Sequence, residues 1–187
     1  MRIAYQGAPG AFSELAALTL YPDARGWPLA DFGAVVRAVA NREADLGILP
    51  VKNSVIGDVG AAQAALAAAD DRVVVVAETS FPVRHCLLAL PGATLAAIRS
   101  VESHPAALAQ CGAYLSRHRL TPRVTNDTAG AARDIGADRN FTRAAIAGSE
   151  AAERYGLAIL ARDIADVADN RTRFVVVAAA SSMASPR

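Results

Sequence analysis

The sequence predicts an α/β domain with largely parallel strands, built as two lobes around a cleft. Three observations carry this. Short apolar runs alternate with alanine-rich stretches of helical period, the pattern of strands joined by crossover helices. At 187 residues, 53% apolar and 20% charged, the chain can bury the core of one ordinary domain or two small lobes. Residues 72–82 leave the first group of elements and residues 163–170 can return to it, so two segments cross between the lobes.

In chain order, residues 2–5 predict a strand and 12–20 a helix. Residues 31–41 predict a helix opened by Asp31, whose short carboxylate suits an N-cap, and 46–51 predict a strand. A helix over 59–69 follows. The stretch 72–90 holds two apolar runs, 73–77 and 86–90, broken by Pro82, and the second run opens the second lobe. There the pattern predicts strands at 100–103, 123–124 and 144–147 and helices at 105–117, 128–135 and 149–155. Residues 175–179 close the chain as a strand. The lobes are expected to be 1–80 with 166–187, and 81–165.

Composition excludes several classes. Net charge is +1 with no basic run, and aromatics are only 5% of the chain, which argues against nucleic acid as a partner. No run approaches the length of a membrane span and the Met1-Arg2-Ile3-Ala4-Tyr5 start has no signal-peptide character, so a cytoplasmic protein without a membrane partner is expected. Cys86 and Cys111 stand apart from any CxxC or His cluster and read as buried free thiols, with no metal and no cofactor expected.

The densest chemistry lies in Asn170-Arg171-Thr172-Arg173-Phe174, just before Val175-Val176-Val177. A hydroxyl and a guanidinium stand where a polar loop enters an apolar strand. The guanidinium fork fits a carboxylate and the hydroxyl can donate to a neighbouring oxygen, which implies a small oxygen-rich acid. A solvated arginine at a strand mouth is the plainer reading of this pentapeptide alone. Four other segments fall where strands give way to turns or helices: Gly7 to Ser13, Pro50 to Ser54, Ser103-His104-Pro105, and Asn126-Asp127-Thr128-Ala129. Each also reads as a turn or cap. In open α/β sheets such junctions converge on the ligand crevice.

Taken in order, these segments resemble the catalytic domain of the prephenate dehydratase family. The resemblance rests on Gly7 to Glu14, Asp45 to Val51 with Asn53-Ser54, His104-Pro105 followed by Ala107 to Cys111, Ala145 to Ala147, Tyr155 to Leu157, and Ile164, Asp166, Asn170 and Thr172-Arg173-Phe174. It implies a two-lobed domain similar to type II periplasmic binding proteins, conversion of prephenate to phenylpyruvate on the way to phenylalanine, and a homodimer. By the same resemblance Thr172 is needed for activity, aiding departure of the ring hydroxyl. Asn53, Ser54 and Thr128 would orient the ring, and Arg173 would bind a carboxylate or serve a structural ion pair. Ala11, Phe12, Ala129 and Phe174 would line the substrate, while His104, before Pro105 at a helix start, reads first as a structural cap.

Three departures from the family's usual residues stand out. Lys52 replaces Glu before Asn53-Ser54, Asp127 replaces Ser before Thr128-Ala129, and Ala106 replaces Gln after His104-Pro105. Lys52 and Asp127 change charge in the expected cleft and are expected to pair across it. Only Ser181 to Arg187 follows the last strand, so feedback through the phenylalanine-sensing ACT domain found in many family members is not expected of this chain, whether it is a standalone catalytic domain or part of a longer protein. Alternatives stay open: dehydration of arogenate, decarboxylation of prephenate without dehydration, or noncatalytic binding of a small carboxylate.

Overall fold

The computed structural model describes residues 1–180. In chain order the elements are β1 (Arg2–Gln6), α1 (Phe12–Leu20), β2 (Arg25–Leu29), α2 (Phe32–Ala40), β3 (Leu46–Asn53), β4 (Gly57–Asp58), α3 (Gly60–Ala67) and β5 (Val73–Pro82). Then come β6 (Cys86–Ala89), β7 (Ser100–Ser103), α4 (Pro105–Gln110), α5 (Gly112–Arg117), β8 (Thr121–Val124), α6 (Thr128–Ala137), β9 (Arg143–Ala147), α7 (Ser149–Tyr155), β10 (Ala158–Ala161) and β11 (Arg171–Ala179). Two sheets result, in the orders β2-β1-β3-β11-β5, with β4 hairpinned to β3, and β10-β6-β9-β7-β8.

The sheets are mixed, which corrects the expectation of largely parallel strands. β1 runs parallel to β2 and β3, but β11 returns from the second sheet and inserts antiparallel between β3 and β5. In the second sheet β7 is parallel to β8 and β9, whereas β6 is antiparallel to β9 and β10. The chain passes between sheets twice, at residues 83–85 and 162–170, and each passage reverses a strand's direction. β5 and β11 lie side by side along their whole lengths, so the two crossings share one ladder.

Apolar alternation explains where the core sits. Along β11, Phe174 and Val176 pack with Ile3, Tyr5 and Ile48 on the face that α1 covers, while Val175 and Val177 pack with Val35, Val39 and Leu49 under α2 and α3. The second sheet is likewise covered on both faces. Leu87, Val101 and Ile146 meet Leu108 and Leu115, and Leu88, Ala145 and Ala147 meet Ala131, Ile135 and Ala152. Among the described residues no helix is long and apolar enough to cross a membrane.

Several local differences have plain causes. The helix expected over 105–117 breaks at Cys111 (φ −114°, ψ 19°), and both carboxylate oxygens of Asp166 accept the Ala113 N–H at 3.2 Å, capping a new helix there. β2, unforeseen, contains Pro28 and no β-branched residue; it survives because it is an edge strand. β4 and β10 are similarly short. β11 begins at Arg171, so the Thr172 motif lies inside the strand and not on a loop before it. Both cysteines are buried and free, and burial pushes the Cys111 thiol up to about 12.

Candidate active site

A cleft of about 430 Å³ opens between the sheets. Its walls come from the β1–α1 junction, the end of β3, the start of β11, the start of α3, the crossing at residues 83–85, one side of α4 and the start of α6. Of the residues singled out in the sequence, Ala11, Phe12, Asn53, His104, Asp127, Thr128, Thr172 and Phe174 line it.

Four do not. Arg173 and Lys52 are exposed, face each other across the β3–β11 ladder, and lie on the side away from the cleft. The pleat is the reason: Thr172 and Phe174 are buried toward the cleft, so the residue between them must point the other way. Arg173 sits 3.7 Å from Glu78 instead of meeting a ligand. Lys52 lies opposite Asp58 in the β3–β4 hairpin and forms no ion pair with Asp127, so the expected pairing across the cleft fails. Ser54 is a strand clasp: its hydroxyl donates to Asp169 O at 3.1 Å and accepts the Arg171 N–H at 2.9 Å. Ala129 is wholly buried against Ile3 and Tyr5 in the core.

Thr172 sits in a buried amide network. Asn53 Oδ1 accepts the backbone N–H groups of Val55 and Ile56 at 2.9 and 3.1 Å, so its Nδ2 faces Thr172 Oγ1 at 2.9 Å, Asn170 Oδ1 at 2.7 Å and Arg171 O at 3.2 Å. Gln110 Nε2 donates to Asn53 Oδ1 at 3.3 Å, and Asn170 Nδ2 donates to Gln110 Oε1 at 3.0 Å. Since Asn53 can only donate to Thr172, the hydroxyl accepts there and keeps its own hydrogen for another acceptor. Gln110 and His85 escaped sequence reading as site residues. A glutamine at the buried end of the alanine-rich Pro105–Gln110 helix was the one available signal; His85, among Val83, Cys86 and Leu87, carried none.

The opposite wall is held by caps. Asp127 Oδ1 accepts the Gly130 N–H at 2.6 Å, starting α6, and the Ala8 N–H at 3.3 Å from the other side of the cleft. His104 Nδ1 accepts the Ala106 N–H at 3.2 Å, and burial lowers its pKa against the opposing pull of Asp127. The Gly7 to Gly10 loop can meet this wall because both glycines adopt positive φ, 108° and 92°. Tyr155 Oη donates to Pro9 O at 2.6 Å, and Arg154 lies 3.6 Å from the buried Glu14, closing the loop against α7.

Charge in the cleft is one-sided. Among the described lining residues there is no Lys or Arg, while Asp58 and Asp127 bring carboxylates. Positive potential comes instead from α1 and α3, which both start at the cleft without a side-chain cap, leaving first-turn N–H groups for an anion.

Two sheets linked by two crossing segments, with polar groups converging between them, define the two-lobed α/β class of type II periplasmic-binding-protein-like domains. Within that class the chain belongs to the prephenate dehydratase family, whose profile matches residues 3–182. It is 43% identical over 180 residues to arogenate dehydratase 1 of Petunia hybrida, covering 95% of this chain and 42% of that one. It therefore spans less than half the length of that relative. The prephenate dehydratase of Arthrobacter aurescens, solved in complex with L-Phe, superposes with a TM-score of 0.88 at 29% identity over 100% of this chain and 63% of that one. A protein described as GqqA, a novel type of quorum quenching acylases, superposes at 0.86 with 36% identity over 100% of this chain and 67% of that one.

Proposed function

We propose that the chain is the catalytic domain of a lyase that dehydrates and decarboxylates prephenate. The C–C bond to the ring carboxylate breaks and releases carbon dioxide. Its electron pair moves through the diene and expels the ring hydroxyl, which takes up a proton and leaves as water. Aromatisation supplies the driving force, so the protein has to hold a dianion and ease departure of hydroxide. The observation that carries this reading is Thr172 Oγ1, 7% exposed as a residue, lining the cleft and accepting from Asn53 Nδ2 at 2.9 Å. A threonine hydroxyl is a poor free acid, but a donor fixed in a dry site stabilises charge as it grows on the leaving oxygen. The uncapped starts of α1 and α3 hold the carboxylates. Thr128 and Phe174 bound the ring.

Arogenate is the second reading, favoured by two things: the name of the petunia relative, and the carboxylates of Asp58 and Asp127 in a cleft without side-chain cations, which suit an ammonium where prephenate has a keto group. Decarboxylation without dehydration leaves the ring hydroxyl in place and must deliver a proton to a ring carbon, a task for which a threonine hydroxyl is a poor acid, so that reading is disfavoured. The acyl transfer named for GqqA needs a nucleophile beside a base, and amides surround Thr172 here. The test is to offer prephenate and arogenate separately and identify products by mass. Phenylpyruvate from prephenate supports the first reading and phenylalanine from arogenate alone supports the second. A nonaromatic product, or saturable binding without turnover, overturns both.

A further inference from the structure

We propose that His85 is a positioning residue, whose neutral imidazole braces Gln110 and through it holds in place the amide chain behind the Thr172 hydroxyl. The inference rests on the dehydratase reading above and adds a residue to it. Its starting point is that two backbone donors and one backbone acceptor settle every orientation in the network. Val55 N–H and Ile56 N–H can only donate, so Asn53 presents Oδ1 to them; Arg171 O can only accept, so Asn53 presents Nδ2 to it. Asn170 then turns Oδ1 toward Asn53 and Nδ2 toward Gln110 Oε1. Gln110 Oε1 consequently accepts from its remaining neighbour, His85 Nε2 at 2.7 Å. The imidazole is therefore the Nε2–H tautomer, and Nδ1 bears a lone pair.

Every member is out of water: His85 is 2% exposed, Asn170 3%, Asn53 5%, Thr172 7% and Gln110 8%. They come from separate places, namely the first crossing, the end of the second, the ends of β3 and α4, and the start of β11. Gln110 thus ties α4 to Asn53 and Asn170 across the cleft, and His85 holds Gln110 from behind. Without His85, backbone groups still fix which way the Asn53 amide points, but Gln110 Oε1 keeps Asn170 as its one donor and the space left by the ring lets Gln110 and the amides bonded to it shift, moving Asn53 relative to Thr172. Among the described residues His85 Nδ1 has no hydrogen-bond partner, and the edge of Phe12 packs against the ring with centroids 5.7 Å apart, so apolar contact holds the imidazole as well as the Gln110 hydrogen bond. Burial lowers its pKa, consistent with an uncharged donor.

The test uses three variants and one spectrum. Glutamine can set an amide N–H where Nε2–H stands, whereas asparagine reaches only the Nδ1 position. His85→Ala and His85→Asn are expected to lower kcat by about 10- to 100-fold while KM stays within about threefold, as misplacement of a reacting group does. His85→Gln should rescue kcat to within about fivefold of wild type. In wild type labelled with ¹⁵N-histidine, the His85 ring should report a neutral Nε2–H tautomer at pH 7. Unchanged kcat in His85→Ala, a loss carried by KM, or His85→Gln failing as badly as His85→Ala overturns the proposal, and so does an Nδ1–H spectrum. If wild type turns over neither prephenate nor arogenate, the functional reading fails, and the spectrum still decides the amide chain by itself.

Discussion

The two faces of β11 show what this site is made from. Toward the cleft, Thr172 and Phe174 are buried, and Thr172 answers to neutral amides fixed by backbone groups. Toward solvent, Arg171 donates to the hydroxyl and carbonyl of Ser80 at 3.0 and 2.9 Å, and Arg173 stands 3.7 Å from Glu78, each half-exposed. The inner face spends no ionised side chain on positioning its hydroxyl, which avoids the desolvation cost of a buried charge. The outer face holds charges where water screens them. Function is therefore assigned to the less conspicuous side of the motif.

The sharpest break of this comparison is at Thr172. Thr172→Val keeps the shape and removes the donor; kcat should fall on the order of 10²- to 10³-fold, the effect of losing one preorganised donor, with KM nearly unmoved. A Thr172→Val enzyme with near-normal kcat would move the chemistry elsewhere in the cleft. Asn53→Asp comes next. The carboxylate still accepts from Val55, Ile56 and Gln110, but it turns an acceptor toward Thr172 Oγ1 and Asn170 Oδ1. The Thr172 hydrogen is drawn inward to it. The expected loss in kcat is about 10- to 100-fold, and chemical denaturation should show destabilisation of about 1–3 kcal/mol from the groups left unmatched.

Acid should act on the inner face before the outer one. Burial holds the pKa values of His85 and His104 below the ordinary 6.5. The unfolded chain then binds more protons than the folded one once pH drops below about 6.5, so stability that is full above that point is lost as pH falls toward the depressed folded values. The Asp127 carboxylate opposes the shift at His104 and the Gln110 hydrogen bond opposes it at His85, but Gln110 and Phe12 do not themselves titrate. Urea midpoints at pH 7.5 and 5.5 should therefore separate by less in His85→Gln than in wild type. Equal separations would mean that His85 is not held neutral.

How much of this was legible beforehand depended on whether the signal was local. α1 begins at Phe12 and ends at Leu20 as its period predicts, and Asp31 caps α2 by accepting the Ala34 N–H, because caps and helical period act over three or four residues. Thr172 and Asn53 were legible from the motifs around them. In sequence the Arg173 motif reads as the end of a loop, where a side chain can swing toward a ligand; inside a ladder the pleat dictates the face, and Arg173 points outward. His85 and Gln110 owe their importance to Asn53 and Asn170, groups distant in sequence that only the paired crossings bring together. No short-range pattern encodes that meeting.

The smallest expected effects are on the outer face, and they test the comparison from its other side. Arg173→Ala removes an exposed guanidinium from a 3.7 Å contact with Glu78, and pairs of that kind contribute roughly 0–1 kcal/mol. Lys52→Ala takes away a charge that opposes Arg173 across the ladder, so it relieves like-charge crowding as much as it loses anything. Both variants should keep kcat, KM and the urea midpoint close to wild type, with Lys52→Ala the nearer to neutral. A large rise in KM in Arg173→Ala would mean that this guanidinium reaches the ligand by a rearrangement of β11, and the division between a neutral working face and a charged outer face would not hold.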